Sequence, residues 1–156
     1  MECGEAMPEA LQAKAEAAFK AVTEDLGYVG TLAIEFFVVG NGTEAQLLVN
    51  EIAPRVHNSG HWTLQGCNIS QFELHIRSLT NMPFPTLHVQ PTLMLNAIGC
   101  SDIPTELWQH PLAQVFWYGK EPRPGRKVGH VNFSLTSRAE AEQLSERFTP
   151  YLQVLS

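Results

Sequence analysis

Ala33-Ile34-Glu35-Phe36-Phe37, the turn-rich Gly40-Asn41-Gly42-Thr43 and Val49-Asn50-Glu51-Ile52 decide how this chain folds. Tyr28 to Val39 is dense in β-branched and aromatic residues and Gln46 to Ile52 is again apolar, so the segment predicts a β-hairpin closed by a glycine-asparagine turn. A glutamate interrupts each arm, and a charge in an otherwise apolar run is expensive. A register that sets Gly40 opposite Gln46 also sets Glu35 opposite Glu51, on one face, with β-carbons about 5 Å apart. Two carboxylates that close repel unless something positive lies between them. A hard divalent cation such as Mg2+ accepts oxygen from one or two carboxylates and completes its shell with phosphate oxygens and water, so the pair predicts a metal-nucleotide site. Two other arrangements fit the same spacing. The sheet can have an open face that lets one or both glutamates point to water, or the pair can face inward and share a proton.

Upstream, Leu11, Ala15, Phe19, Val22 and Leu26 recur at helical spacing after Pro8, with Gly27 placed as a stop, which predicts a helix over about 8–26. Downstream, Pro54 to Asn68 is polar and aperiodic, and Ile69 to Leu79 regains helical spacing through Phe72, Ile76 and Leu79. Pro83, Pro85 and Pro91 fit neither a helix interior nor a central strand. The expected organisation is α+β: a sheet with packed helices over 1–82, a proline-rich linker over 83–91, and a β-rich subdomain over 92–156. In the last, Thr92 to Ile98, Ala113 to Tyr118 and Val128 to Leu135 read as strands and Ser137 to Phe148 as a capped helix. No internal repeat or low-complexity tract is present.

At 156 residues and 44% hydrophobic content the chain can bury a core. Its 10 basic and 16 acidic residues give a formal charge of -6, which argues against nucleic acid or an acidic membrane as the main partner. Cys3, Cys67 and Cys100 are odd in number and far apart, so neither a disulfide framework nor a paired-thiolate zinc site is expected. Residues 1–27 lack a basic start followed by an apolar core, and no apolar run approaches membrane-spanning length; the expected location is the cytoplasm.

Two loops carry the candidate chemistry. Asn50-Glu51-Ile52-Ala53-Pro54-Arg55-Val56-His57-Asn58-Ser59-Gly60-His61-Trp62 packs a carboxylate, a guanidinium, two imidazoles and short polar side chains directly after a strand, where function concentrates. Arg55 offers a planar fork for carboxylate, bicarbonate or phosphate, and His57 and Asn58 can orient a small oxyanion beside it. Taken singly, Arg55 also reads as a surface ion-pair partner, His57 or His61 as a satisfied loop histidine, and Asn58-Ser59-Gly60 as a turn. The second loop, Lys120 to Lys127, gathers Lys120, Arg123, Arg126 and Lys127 around Pro122, Pro124 and Gly125. Stiffly displayed cations suit a ligand phosphate, and a solvated hairpin turn is the bland alternative.

The Asn50 to Trp62 string, followed by Ile69-Ser70-Gln71-Phe72-Glu73-Leu74-His75, resembles the signature of an ATP-grasp ligase family of purine biosynthesis, the 5-(carboxyamino)imidazole ribonucleotide synthetases. Their older name is the ATPase subunit of phosphoribosylaminoimidazole carboxylase. The loop from Trp117-Tyr118-Gly119-Lys120 to Arg126-Lys127-Val128-Gly129-His130 resembles that family's C-terminal domain, so the likeness runs over about 8–150. It implies the second half of an ATP-grasp domain over 1–82 and a ligase that uses ATP, Mg2+ and bicarbonate to carboxylate aminoimidazole ribonucleotide on the way to IMP. By the same resemblance Glu35 and Glu51 are the metal ligands and Asn50 and Glu51 meet ATP. Arg55, His57 and Asn58 line the bicarbonate and carboxyphosphate site, and Lys120, Arg126 and Lys127 hold the ribonucleotide 5′-phosphate. Family members carry roughly twice this length, so the likeness further implies a fragment inactive without an N-terminal half that clamps adenine, with a homodimer as a further expected association. Two rival expectations stand beside it. One is a non-catalytic ATP-grasp-derived binding or assembly module. The other is a different ATP-grasp carboxylase or formate-using transferase, which would share the glutamates but not the long string.

Overall fold

The structure is a computed structural model and describes residues 8–153; Cys3 lies outside the described residues. The elements are α1 (Glu9–Leu26), β1 (Ala33–Val39), β2 (Gln46–Ala53), α2 (Thr63–Gly66), α3 (Gln71–Leu79), β3 (Thr92–Ile98), α4 (Thr105–Gln109), β4 (Ala113–Trp117), β5 (Lys127–Ser134) and α5 (Arg138–Leu152). They form an α+β fold with two antiparallel sheets, β1-β2 and β3-β5-β4. Cα packing divides them into two compact units, the described residues up to Gly60 with Gln71–Pro85, and His61–Ser70 with Thr86 onward.

In the first unit α1 follows Pro8, which occupies the N-cap rather than the first turn, its carbonyl accepting from the N–H groups of Leu11 and Gln12. The helix stops where Gly27 turns left-handed at φ 55° and Tyr28 N–H closes on Thr23 O, a glycine-capped end. The hairpin forms, with its first arm starting at Ala33 rather than Tyr28 and with a shifted register. Val39, not Gly40, pairs with Gln46, and the ladder regains the Glu35–Glu51 pairing through a bulge, because Phe36 pairs with Val49 and leaves Asn50 as the extra residue. Little of this unit is apolar core. Leu11, Leu32, Ala45 and Ala53 are buried, whereas Phe37, Val38, Val39, Leu48 and Val49 are each about half exposed.

The second unit is built around β5, central in its sheet. Val131 and Phe133 pack with Leu95, Leu107, Leu144, Phe148 and Leu152, and the Phe133 and Phe148 rings stack with centroids 5.8 Å apart. The alternate residues His130 and Asn132 are equally buried. The segment around α2 covers them: Asn132 Nδ2 donates to His61 O (3.1 Å) and Gln65 Nε2 to Ser134 Oγ (2.8 Å). A strand covered on both faces reads as one buried run.

Three features go beyond the sequence reading. Residues 86–90 lie against 66–68, through a Cys67–Val89 bridge, Gln90 N–H to Gly66 O, and both ends of the Asn68 amide on the Thr86 and His88 backbone. The short α2 and α4 have too few residues to show a period. Helix α5 runs on through Pro150 to Leu152; at its start Ser137 Oγ accepts from Glu140 N–H, while Glu140 Oε2 accepts from Thr136 N–H. The Thr136 N–H, with the Thr136 hydroxyl beside it at 3.0 Å, holds the Glu140 carboxyl below its ordinary pKa. Among the described residues no helix is long and apolar enough to cross a membrane.

Burial, with lesser contributions from His61 and Lys127, lowers the His130 pKa to about 4. Unfolded histidine titrates near 6.5, so between pH 6.5 and about 4 the unfolded chain takes up a proton that the native state refuses. Stability therefore falls as pH drops through that window and levels off below it, by up to roughly 3 kcal/mol. Denaturant unfolding of the second unit followed against pH should show this slope. His130→Gln, which has no proton to gain, should flatten it, and an unchanged slope in that variant would remove the assignment.

Candidate functional site

The bulge at Asn50 sets the geometry. With Glu35 paired to Glu51 across β1 and β2, both carboxylates leave one face of the hairpin, and the chain then turns into the 53–60 loop. Each carboxylate has its own partners. Arg55 Nη2 donates to Glu51 Oε1 at 3.2 Å, while Arg55 Nη1 donates to Val56 O at 3.0 Å. Asn50 Nδ2 donates to Glu35 Oε2 at 3.1 Å, and His57 Nε2 lies 3.4 Å from Glu35 Oε1. Glu35 is 43% exposed and Glu51 46%, so the pair sits on an open face rather than facing inward.

His57 itself is buried. Its Nδ1 accepts from Ser59 N–H at 3.3 Å, with Ser59 Oγ at 2.9 Å. An acceptor Nδ1 leaves the ring proton on Nε2, the nitrogen facing Glu35. Asn58 follows in a 3-10 turn (Asn58–Gly60), and its Oδ1 is buried with no hydrogen-bond partner. A buried orphan acceptor costs on the order of 1–3 kcal/mol, which a donor on a ligand would recover.

The donor set suits Mg2+. Two carboxylates and a neighbouring amide are hard oxygen ligands, and their partial exposure leaves room for phosphate and water oxygens. Among the described residues no group of three or more His, Cys, Asp or Glu side chains is placed to hold a metal ion by itself, and an ion on this pair would complete its shell with water or phosphate oxygens.

Lys120, Arg126 and Lys127 belong to the second unit. Lys120 Nζ rests 5.0 Å from the centroid of the Tyr118 ring, whose hydroxyl is 2.6 Å from His130 Nδ1. Arg126 Nη1 donates to Glu121 O, Arg123 pairs with Glu121, and Lys127 opens β5 opposite Ile98. Sequence reasoning gave no role to Gln71 or to the Tyr118–His130 pair. A lone glutamine at the start of a helix carries no periodic or charge signal, and a tyrosine and histidine twelve apart meet only once β4 and β5 pair.

The ATP-grasp domain family matches residues 3–72, and the phosphoribosylaminoimidazole carboxylase C-terminal domain family matches residues 92–144. The fold is that of the ATP-grasp class. The chain is 49% identical over 148 residues to the N5-carboxyaminoimidazole ribonucleotide synthase of Haemophilus influenzae, covering 94% of this chain and 40% of that protein. It is 48% identical over 142 residues to that of Escherichia coli, covering 90% and 39%. The crystal structure of N5-carboxyaminoimidazole ribonucleotide synthetase from Thermus thermophilus superposes with a TM-score of 0.79 at 43% identity, over 95% of this chain and 40% of that one. The Aspergillus clavatus N5-carboxyaminoimidazole synthase in complex with ADP and 5-aminoimidazole ribonucleotide gives 0.75 at 31%, over 96% and 42%. The chain belongs, as its C-terminal portion, to the N5-carboxyaminoimidazole ribonucleotide synthase family, and it spans about two-fifths of the length of these relatives.

If Arg55 is available to a ligand rather than holding the fold together, its exposed pair with Glu51 is worth at most about 1 kcal/mol. Arg55→Ala should therefore unfold in denaturant within that margin of the parent, and a loss above about 2 kcal/mol would make it structural.

Proposed function

We propose that this chain supplies the metal-nucleotide and carboxyphosphate side of an ATP- and bicarbonate-dependent carbon-nitrogen ligase, which converts aminoimidazole ribonucleotide to N5-carboxyaminoimidazole ribonucleotide in cytosolic purine synthesis. The observation that carries the reading is the alignment of Glu35 and Glu51 on one face, with Arg55, His57 and Asn58 in the loop directly beyond.

In this reading Glu35 and Glu51 hold Mg2+, with Asn50 and Glu51 beside the ATP phosphates. The ion, when bound, neutralises charge on the transferring phosphoryl group. A bicarbonate oxygen attacks the γ-phosphorus, ADP leaves, and carboxyphosphate forms. Arg55 and the Asn58 turn hold the anion, and the buried His57 edge limits water around it. Carboxyphosphate then separates into phosphate and carbon dioxide; the exocyclic amine of the ribonucleotide adds to that carbon and loses a proton, giving the carbamate. Lys120, Arg126 and Lys127 take the ribonucleotide 5′-phosphate, the lysines as point charges and the arginine as a fork. In this reading the adenine clamp comes from the part of the relatives that this chain does not span.

A second reading, a binding or assembly module, is favoured by one observation: Phe37, Val38, Val39, Leu48 and Val49 leave the hairpin with exposed apolar surface, the kind that another chain covers. One experiment separates the two. The chain is mixed with a separately expressed N-terminal half of a related synthase, and bicarbonate-dependent ADP release is assayed with aminoimidazole ribonucleotide. Turnover that appears only on mixing is expected. Glu35→Gln or Glu51→Gln should then lower it at least about 100-fold, while wild-type turnover in both variants would end the metal assignment. Association without turnover would favour the assembly reading.

In the same mixture Arg126→Ala should raise the KM for the ribonucleotide about tenfold or more and leave bicarbonate-dependent ATP hydrolysis intact. An unchanged KM would move the 5′-phosphate elsewhere.

A further inference from the structure

Gln71 opens α3, fourteen residues beyond His57, and is 5% exposed. Both polar ends of its amide are spent on one residue: Oε1 accepts from His57 N–H at 3.0 Å and Nε2 donates to His57 O at 2.8 Å. The amide thereby imitates a neighbouring β-strand and fixes the His57 backbone at two points, which one bond could not do. Its own carbonyl accepts from Thr31 Oγ1 at 3.2 Å, and the Thr31 N–H donates to His75 Nδ1 at 3.0 Å, so the clamp is anchored where the chain enters β1. Gly60 completes the arrangement, because a β-carbon there would overlap the Gln71 amide.

We propose that Gln71 is a positioning residue for the ligase site: by clamping the His57 backbone it fixes the 57–60 turn so that Ser59 N–H meets His57 Nδ1 and the protonated Nε2 faces Glu35. The functional half of this inference rests on the reading of Glu35 as a metal ligand; the positioning half does not. The chain of contacts is continuous. Gln71 holds the His57 peptide, the turn holds the ring, and the ring edge lies 3.4 Å from one oxygen of Glu35 while Asn50 donates to the other. A carboxylate with one oxygen hydrogen-bonded by an amide and the other facing an imidazole edge keeps its orientation, which is what a ligand to a hard cation requires. A buried glutamine gives up rotamer freedom, and its two buried amide bonds offset that.

The test is nitrogen-15 NMR of the His57 imidazole in the full chain. The native spectrum should show one protonated ring nitrogen, Nε2, and one bare acceptor, Nδ1. Gln71→Met has nearly the same shape but neither hydrogen-bonding end, so the two nitrogens should move toward averaged shifts while the β5 amide signals of the second unit stay in place. An unchanged imidazole pattern in a folded Gln71→Met chain would overturn the proposal. Should that variant fail to fold, Gly60→Ala displaces the same amide without removing it, and there too the averaged pattern supports the clamp and the native pattern rejects it. In the mixed enzyme, Gln71→Met should lower kcat about 10- to 100-fold with the KM for ATP within about twofold. A changed spectrum with native turnover would leave Gln71 as the clamp and remove His57 from the ligase reading.

Discussion

Everything at the candidate site depends on one residue of slack in a β-ladder. If β1 and β2 paired regularly outward from Val39–Gln46, Glu35 would oppose Asn50, and Glu51 would oppose Ile34 from the other face of the sheet. The bulge takes up Asn50 and restores Glu35 to Glu51. A hairpin alternates faces with period two, so no side-chain rotation substitutes for that shift. The extra residue is used as well, since its amide reaches Glu35.

The two units solve the burial problem differently. In the second, β5 is covered on both faces, and Phe133, Phe148, Leu107 and Leu152 are fully buried in a core contributed by three strands and two helices. The first has a two-stranded sheet, marginal by itself in water, with its most apolar residues at the solvent. A sequence so rich in valine, leucine and phenylalanine on both faces of a hairpin is written for burial on both faces. The polar constellation is held instead by an i,i+4 ion pair, a turn closed by Ser59, and the Gln71 clamp.

That division explains what the sequence lets a reader see. The hairpin, α1 and its glycine stop, the capped α5 and the three later strands follow from patterns that repeat within a few residues. The Glu35–Glu51 pairing is legible too, although through a regular register; the bulge leaves no mark in composition, and counting from Gly40 leads to the same partners by a different route. The Asn50 to Trp62 string shows its chemistry because its charged groups are neighbours in sequence. Gln71, Tyr118 and His130 do not. Their meaning lies in what they touch, and contacts between residues far apart in sequence leave no local period.

Arg55 and His57 hold the glutamates without trapping them. A salt bridge that is half open to water gains little from its Coulomb term and loses little when it breaks, so Arg55 can leave Glu51 for a bound anion at small cost. The His57 contact is different, because its ring is buried and its tautomer is set by Ser59. An incoming cation would therefore meet one carboxylate that is released easily and one that is already aimed. The asymmetry between Glu51 and Glu35 follows from burial and anchoring together: an exposed guanidinium is a replaceable partner, whereas a buried imidazole clamped at its backbone is a fixed one.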